Sequence, residues 1–206
     1  MSYTALPDPD TLQRTIAAVK ARGIQVELVE TKEAALARLQ TLVPAGAVVM
    51  TGGSVTLTQI GFDALLISGN HLWRNFKADL LAEKDPVKLS ALRLQGTLAE
   101  FYLGSVNAIS ETGELVFASA TGSQLAPYAF SCRNIIWVAG AQKIAPTLDE
   151  AIRRVRKYVL PMEDQRQKNA SNKNGSFIGR MLILEREPAY LRRNLTLILV
   201  NEVLGF

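Results

Sequence analysis

Asn134-Ile-Ile-Trp-Val-Ala139 has no polar residue after its first position. A strand with one wet face alternates polar and apolar residues, so a run without alternation belongs to a strand covered on both sides. Ala47-Val-Val-Met50 is a second run of this kind. Such strands need helices on both faces of their sheet, and the sequence supplies helix signals between them. Asp8-Pro9 and Asp85-Pro86 each put a capping carboxylate before a proline suited to the first helical turn. The first predicts a helix to about Ala21 that stops at Gly23. The second predicts a long helix to about Leu103, carrying Val87, Leu94, Leu98 and Phe101. Thr31 can cap a helix with Ala35, Leu36, Leu39 and Leu42 on one face. Thr147-Leu-Asp-Glu150 is a capping box, predicting a helix to about Val159 that ends before Pro161.

A further helix should follow Thr51-Gly52-Gly53-Ser54, with Leu57, Ile60, Ala64 and Leu65 on its apolar side. Other strands are expected at 24–29, 105–109, 114–119, 181–185 and 195–200. Helix and strand alternate through most of the 206 residues. That pattern predicts an α/β fold of three layers, α/β/α, around a mostly parallel mixed sheet. No repeat or linker divides the chain, so one domain over 1–206 is expected, with the polar stretch 163–176 as a mobile loop.

Composition removes several function classes. Cys132 and His71 are the only cysteine and histidine. No internal disulfide can form, and neither a zinc site nor an iron–sulfur cluster can be built from thiolates of one chain. We therefore expect no metal, no resident cofactor and a cytoplasmic location. The N-terminus lacks a secretory pattern, and no apolar run nears the roughly 18 residues of a membrane span. The net charge of +4 is uneven: residues 151–193 hold 11 basic and 4 acidic side chains. The only aromatics there are Tyr158, Phe177 and Tyr190 and no nucleic-acid module is visible, so a solvated face, an anionic ligand or a protein partner is expected before nucleic acid.

Three segments carry chemistry-bearing residues at strand ends, where α/β sheets place their ligands. Gly52-Gly53-Ser54-Val55-Thr56 lets a ligand approach the backbone and offers free N–H groups, which suits a carboxylate or phosphate. It can equally be a tight turn with Ser54 as a plain cap. Asn107-Ala-Ile-Ser-Glu111-Thr112-Gly113 places a carboxylate able to act as base or nucleophile, or else closes a surface hairpin at Gly113. Lys143, in Gly140-Ala-Gln-Lys-Ile-Ala-Pro146, is placed to meet an anion or to sit in a solvated loop. Cys132 reads as a small packed thiol, not as a nucleophile.

Together these segments resemble the LUD (lactate-utilisation) domain family. The likeness rests on Gly52-Gly53-Ser54-Val55-Thr56-Leu57-Thr58-Gln59-Ile60-Gly61, on Gly104-Ser105-Val106-Asn107 through Glu111-Thr112-Gly113-Glu114-Leu115-Val116, on Gly140-Ala141-Gln142-Lys143 through Ala151, and on the ending Ile198-Leu199-Val200-Asn201-Glu202-Val203-Leu204-Gly205-Phe206. The resemblance implies a single-domain member with a fold like that of CoA transferases and sugar-phosphate isomerases. It also implies a part in organic-acid metabolism, where some members help convert lactate to pyruvate beside iron–sulfur proteins. Many single-domain relatives carry a cysteine-rich segment where this chain has the cysteine-free 163–176.

The expected function is binding of a small anionic metabolite at the carboxyl ends of the strands. Gly52, Gly53, Ser54, Thr56, Asn107 and Thr112 would bind it, with Glu111 activating it and Lys143 neutralising it. The alternative is a non-catalytic accessory or regulatory subunit that docks on an iron–sulfur oxidoreductase through the basic C-terminal third. Turnover, substrate identity and homo-oligomer formation are left open by the sequence.

Overall fold

The computed structural model describes residues 3–170 and 174–206. In chain order the elements are α1 (Pro9–Ala21), β1 (Gln25–Val29), α2 (Lys32–Leu42), β2 (Val48–Thr51), α3 (Val55–Gln59) and α4 (Phe62–Ser68). Next come β3 (Arg74–Asn75), α5 (Phe76–Ala82), α6 (Pro86–Gly96), β4 (Phe101–Gly104), β5 (Ala108–Ser110) and β6 (Leu115–Ser119). The last third holds β7 (Asn134–Gly140), β8 (Ile144–Ala145), α7 (Leu148–Arg154), α8 (Leu160–Asn169), β9 (Arg180–Leu184) and β10 (Asn194–Val200).

Six strands form one sheet in the order β1-β10-β7-β4-β2-β3, and every neighbouring pair is parallel. The mixed character lies in a second sheet, β8-β5-β6-β9, where only β5 and β8 run parallel. The apolar runs do what their patterning requires. Ile135, Trp137 and Ala139 of β7 pack with Leu12, Ile16 and Val19 of α1 and with Leu115 and Phe117 of the small sheet. Ile136 and Val138 point the other way, onto Ala35 and Leu39 of α2 and Leu57 of α3. α7 and the turn that continues it cover the outer face of the small sheet, setting Ala151 and Val155 against Ala108 and Val116. Helical cover on either side of a parallel sheet makes the architecture α/β/α.

The capping signals hold. Asp8 accepts a hydrogen bond from Thr11 N (2.9 Å), Asp85 from Val87 N (2.8 Å), and Thr147 from Glu150 N (3.2 Å). Two helix ends differ from expectation, and the one helix expected after Ser54 is broken at Gly61 (φ of +85°) into α3 and α4. α6 stops at Gly96 instead of reaching Leu103, and Phe101–Gly104 enters the sheet as β4, between β2 and β7. The stripe that suggested a longer helix faces outward, with Val87, Leu94 and Leu98 all about 70% exposed or more. The helix opened by Thr147 does not end before Pro161. A π-helical turn at Val155–Val159 carries it into α8 and on to Asn169. The wider turn relieves the clash between a proline ring and the carbonyl four residues back. Residues 163–169 of the expected loop are thus helical, whereas 171–173 lie outside the described residues.

Gly104 ends β4 against the Tyr128 hydroxyl, which occupies the space a Cβ would need. Tyr128 cannot yield easily, being buried edge-on to Tyr102 and Trp137, with ring centroids 5.5 and 5.4 Å away. Gly104→Ala is therefore an overpacking substitution, expected to cost about 1–3 kcal/mol in urea unfolding. An unchanged midpoint would show that Tyr128 is free to move.

Candidate functional site

β2, β4 and β7 are parallel neighbours, so their carboxyl ends share one edge of the sheet. Gly52 follows β2, Ser105 follows β4, and Lys143 ends the 3₁₀ turn Ala141–Lys143 after β7. Between them lies a cleft of about 300 Å³. Of the residues expected at a site, Gly52, Gly53, Ser54, Thr56, Asn107 and Lys143 line it. Val155, Val159 and Arg166 of the π turn and α8 border it, as do Phe177 and the C-terminal Phe206.

Lys143 is only 2% exposed. Its Nζ lies 3.0 Å from each of Thr56 Oγ1, Ser105 Oγ and the Val106 carbonyl oxygen. Among the described residues no carboxylate forms an ion pair with it. Burial holds its pKa well below the usual lysine value, and the nearby charge of Arg154 pushes the same way.

Arg154 is itself 1% exposed. Its Nη1 donates to the Asn107 carbonyl (2.7 Å) and its Nη2 to that of Tyr3 (3.3 Å), while Nε has no partner among the described residues. The guanidinium sits over the Tyr158 and Tyr3 rings, 5.2 and 5.9 Å from their centroids. Those faces compensate part of the charge. Burial still lowers its pKa to about 10. Two buried cations thus stand by the cleft without a described anion to balance them.

The C-terminal segment shapes the floor. Gln142 Nε2 donates to the Leu204 carbonyl (2.8 Å) and Gln142 Oε1 accepts from Leu204 N (3.2 Å). Gly205 N donates to Gln59 Oε1 at 2.6 Å. Gly205 has φ of +65°, and a Cβ there would press on Thr56 Oγ1 and Lys143 Nζ. Here a glycine is required both by the backbone and by the space over the lysine.

At the start of α3, Ser54 Oγ accepts from Leu57 N (3.2 Å) as a cap. The N–H groups of Ser54, Val55 and Thr56 donate to no described residue, as expected of a first helical turn. With five residues α3 has little macrodipole, so these donors act through their hydrogen bonds.

Glu111 and Thr112 are not among the cleft's lining residues. They belong to the tight turn between β5 and β6, closed by Gly113 N donating to the Ser110 carbonyl (2.8 Å). Glu111 lies 3.8 Å from Arg14 of α1, and the Thr112 carbonyl accepts from Arg22 Nε at 2.8 Å. Asn107 touches the cleft, but its Oδ1 is engaged by Ala118 N (2.7 Å), which ties the start of β5 to β6. Cys132 is buried, with Sγ 3.1 Å from the Ala99 carbonyl, and burial pushes its thiol pKa up. His71 stacks on Trp73 at 5.3 Å. Neither of these two lines the cleft.

The basic final third is partly spent within the fold. Arg154 is buried, Arg193 is paired with Glu187, Arg166 with Glu163, Lys168 with Asp164 and Arg153 with Glu150. Among the described residues, no cluster of His, Cys, Asp or Glu could hold a metal ion, and no helix is long and apolar enough to cross a membrane.

The family model for the LUD domain matches residues 12–180, most of the chain and nearly all of the cleft. The chain belongs to the LUD domain family. A LUD-family fold also agrees with a solved structure, the crystal structure of a DUF162 family protein from Deinococcus radiodurans at 1.70 Å resolution. That structure aligns with a TM-score of 0.54 and 14% identity, over 96% of this chain and 100% of the other. At that identity the likeness speaks for the fold alone. No curated protein matches the chain.

Ser105 and Val106 of this LUD cleft, and Arg154, which does not line it, were not singled out from the sequence. Ser105 and the Val106 carbonyl follow β4, and with residues 101–103 read as helix there was no strand end at which to look. Arg154 could have been found from helical phase, because Ala151, Arg154 and Val155 fall at i, i+3 and i+4 on the buried face.

Proposed function

We propose that the cleft beside Lys143 receives a small carboxylate-bearing metabolite. Family membership supports a role related to lactate utilisation, and the cleft is where such a compound would meet the chain. The observation that carries the reading is a fully buried lysine with no described counter-charge, next to a second buried cation, at the edge of a cleft. Burying an uncompensated charge costs several kcal/mol, and an arriving anion offsets that cost where a neutral isostere does not. The unused N–H groups of Ser54, Val55 and Thr56 supply donors for the carboxylate oxygens. The volume of about 300 Å³ suits a small ligand. Glu111, in the turn beside α1, has no part in this reading.

A thermal-shift series with lactate, pyruvate and neutral lactamide tests it. Saturation at about 100 times Kd contributes about 2.7 kcal/mol, a rise of roughly 5–10 °C for a chain of this size. The two carboxylates should raise Tm, lactamide should not, Lys143→Met should lose the shift and Glu111→Gln should keep it. Equal shifts with lactamide, or a full shift in Lys143→Met, would sink the assignment.

A further inference from the structure

We propose that Lys143 Nζ forms an imine with the carbonyl carbon of a 2-oxo carboxylate held in the cleft. The inference rests on the carboxylate reading of the same site and adds covalent chemistry to it. Lysine becomes a nucleophile when it is desolvated or set beside another cation, and here both conditions are met with no carboxylate among the described residues to hold the ammonium. Its three partners also suit a neutral amine. The Val106 carbonyl can only accept, so it takes one N–H (3.0 Å). Thr56 Oγ1 and Ser105 Oγ, each 3.0 Å away, are hydroxyls that can accept the second N–H or donate to the nitrogen lone pair. They lie 3.2 Å from each other, close enough to pair when the lone pair turns to a substrate.

Thr56 fixes which carbonyl compound fits. Its N–H is one of the free donors for a carboxylate, while its side-chain oxygen touches Lys143 Nζ. Both functions sit on one residue, which calls for an electrophilic carbon bonded directly to the carboxylate carbon. That describes a 2-oxo acid.

The step balances without an oxidant or reductant. The nitrogen lone pair forms the C–N bond as the C=O π pair moves onto oxygen. One amine proton passes to that oxygen through the Ser105 and Thr56 hydroxyls, giving a carbinolamine. The second N–H proton leaves with the hydroxyl as water, and C=N remains. Both amine hydrogens and the ketone oxygen depart together as one water molecule.

Incubating the full chain with pyruvate and cyanoborohydride, followed by intact-mass and peptide analysis, tests this. The expected result is one adduct per chain, of pyruvate less water plus two hydrogens, mapped to Lys143. It should be lost in Lys143→Met and with acetone, which has the ketone and no carboxylate. Localisation in the wild-type chain stands even if that variant fails to fold. A pyruvate thermal shift without an adduct at Lys143 would overturn the imine and leave the binding site standing. Adducts spread over surface lysines, or formed equally with acetone, would also overturn it. No shift and no adduct would remove both readings.

Discussion

Glu187→Gln is expected to lower the free energy of unfolding by about 3–5 kcal/mol, because it strips the counter-charge from a buried arginine. Glu187 and Arg193 side chains are each 5% exposed and meet in a two-pronged ion pair: Nε to Oε1 at 2.9 Å and Nη2 to Oε2 at 2.7 Å. The remaining Arg193 donors reach the carbonyls of Pro127, Tyr128 and Cys132 at 3.0 to 3.3 Å. All five N–H groups are thus used, and two of those carbonyls belong to the π-helical turn Pro127–Ser131. In the variant an amide N–H would face a guanidinium N–H, leaving an uncompensated charge in a buried site. Urea unfolding should show a lower midpoint at unchanged slope. The double variant Glu187→Leu, Arg193→Met removes both charges and should fall between wild type and the single variant, since the three carbonyls still lose their donors. A loss under about 1 kcal/mol for Glu187→Gln would place the pair among weak surface bridges.

This ion pair also shows where sequence reading stops. Arg193 counted toward a basic third of the chain, yet its charge is enclosed within the fold. Linear charge density cannot tell a docking face from buried cations, because burial depends on which elements pack around each residue. The strands buried on both faces were legible, since Ile135 to Ala139 carry their environment in their own side chains. β4 was not. Phe101 continues the helical spacing of Val87, Leu94 and Leu98, and only the sheet decides that Phe101–Gly104 pairs between β2 and β7. The misreading hid the strand end that delivers Ser105 to Lys143.

Glu111 is the opposite case, a residue that the fold sets away from the cleft. Its neighbours in the sequence suggested a site, but the hairpin at Gly113 turns it toward Arg14 of α1. The glycine turn and Lys143 meet at one cleft because both lie just beyond strands identified correctly, where a parallel sheet gathers its loops.

Lys143→Met should make the ligand-free protein more stable while abolishing carboxylate binding, and the gain should depend on pH. The sign follows from proton uptake. Folding lowers the Lys143 pKa from the ordinary 10.5, so between the lowered value and 10.5 the unfolded chain binds more protons than the folded one. Stability of the wild type therefore rises with pH through that window, at up to about 1.4 kcal/mol per pH unit from this group. Below the window both states are protonated and the full penalty of a buried ammonium remains. Methionine has a similar length and no charge, so the variant should lack this slope and exceed the wild type most at the acidic end. Its cost is the donor lost to the Val106 carbonyl, about 1–3 kcal/mol, while Thr56 and Ser105 can pair with each other. Comparing the two proteins by urea unfolding from pH 6 to 9.5 cancels contributions from groups they share. Parallel pH profiles would mean that Lys143 keeps its ordinary pKa in the folded chain, and the cleft would then lack the electrostatic demand for an anion on which its proposed function rests.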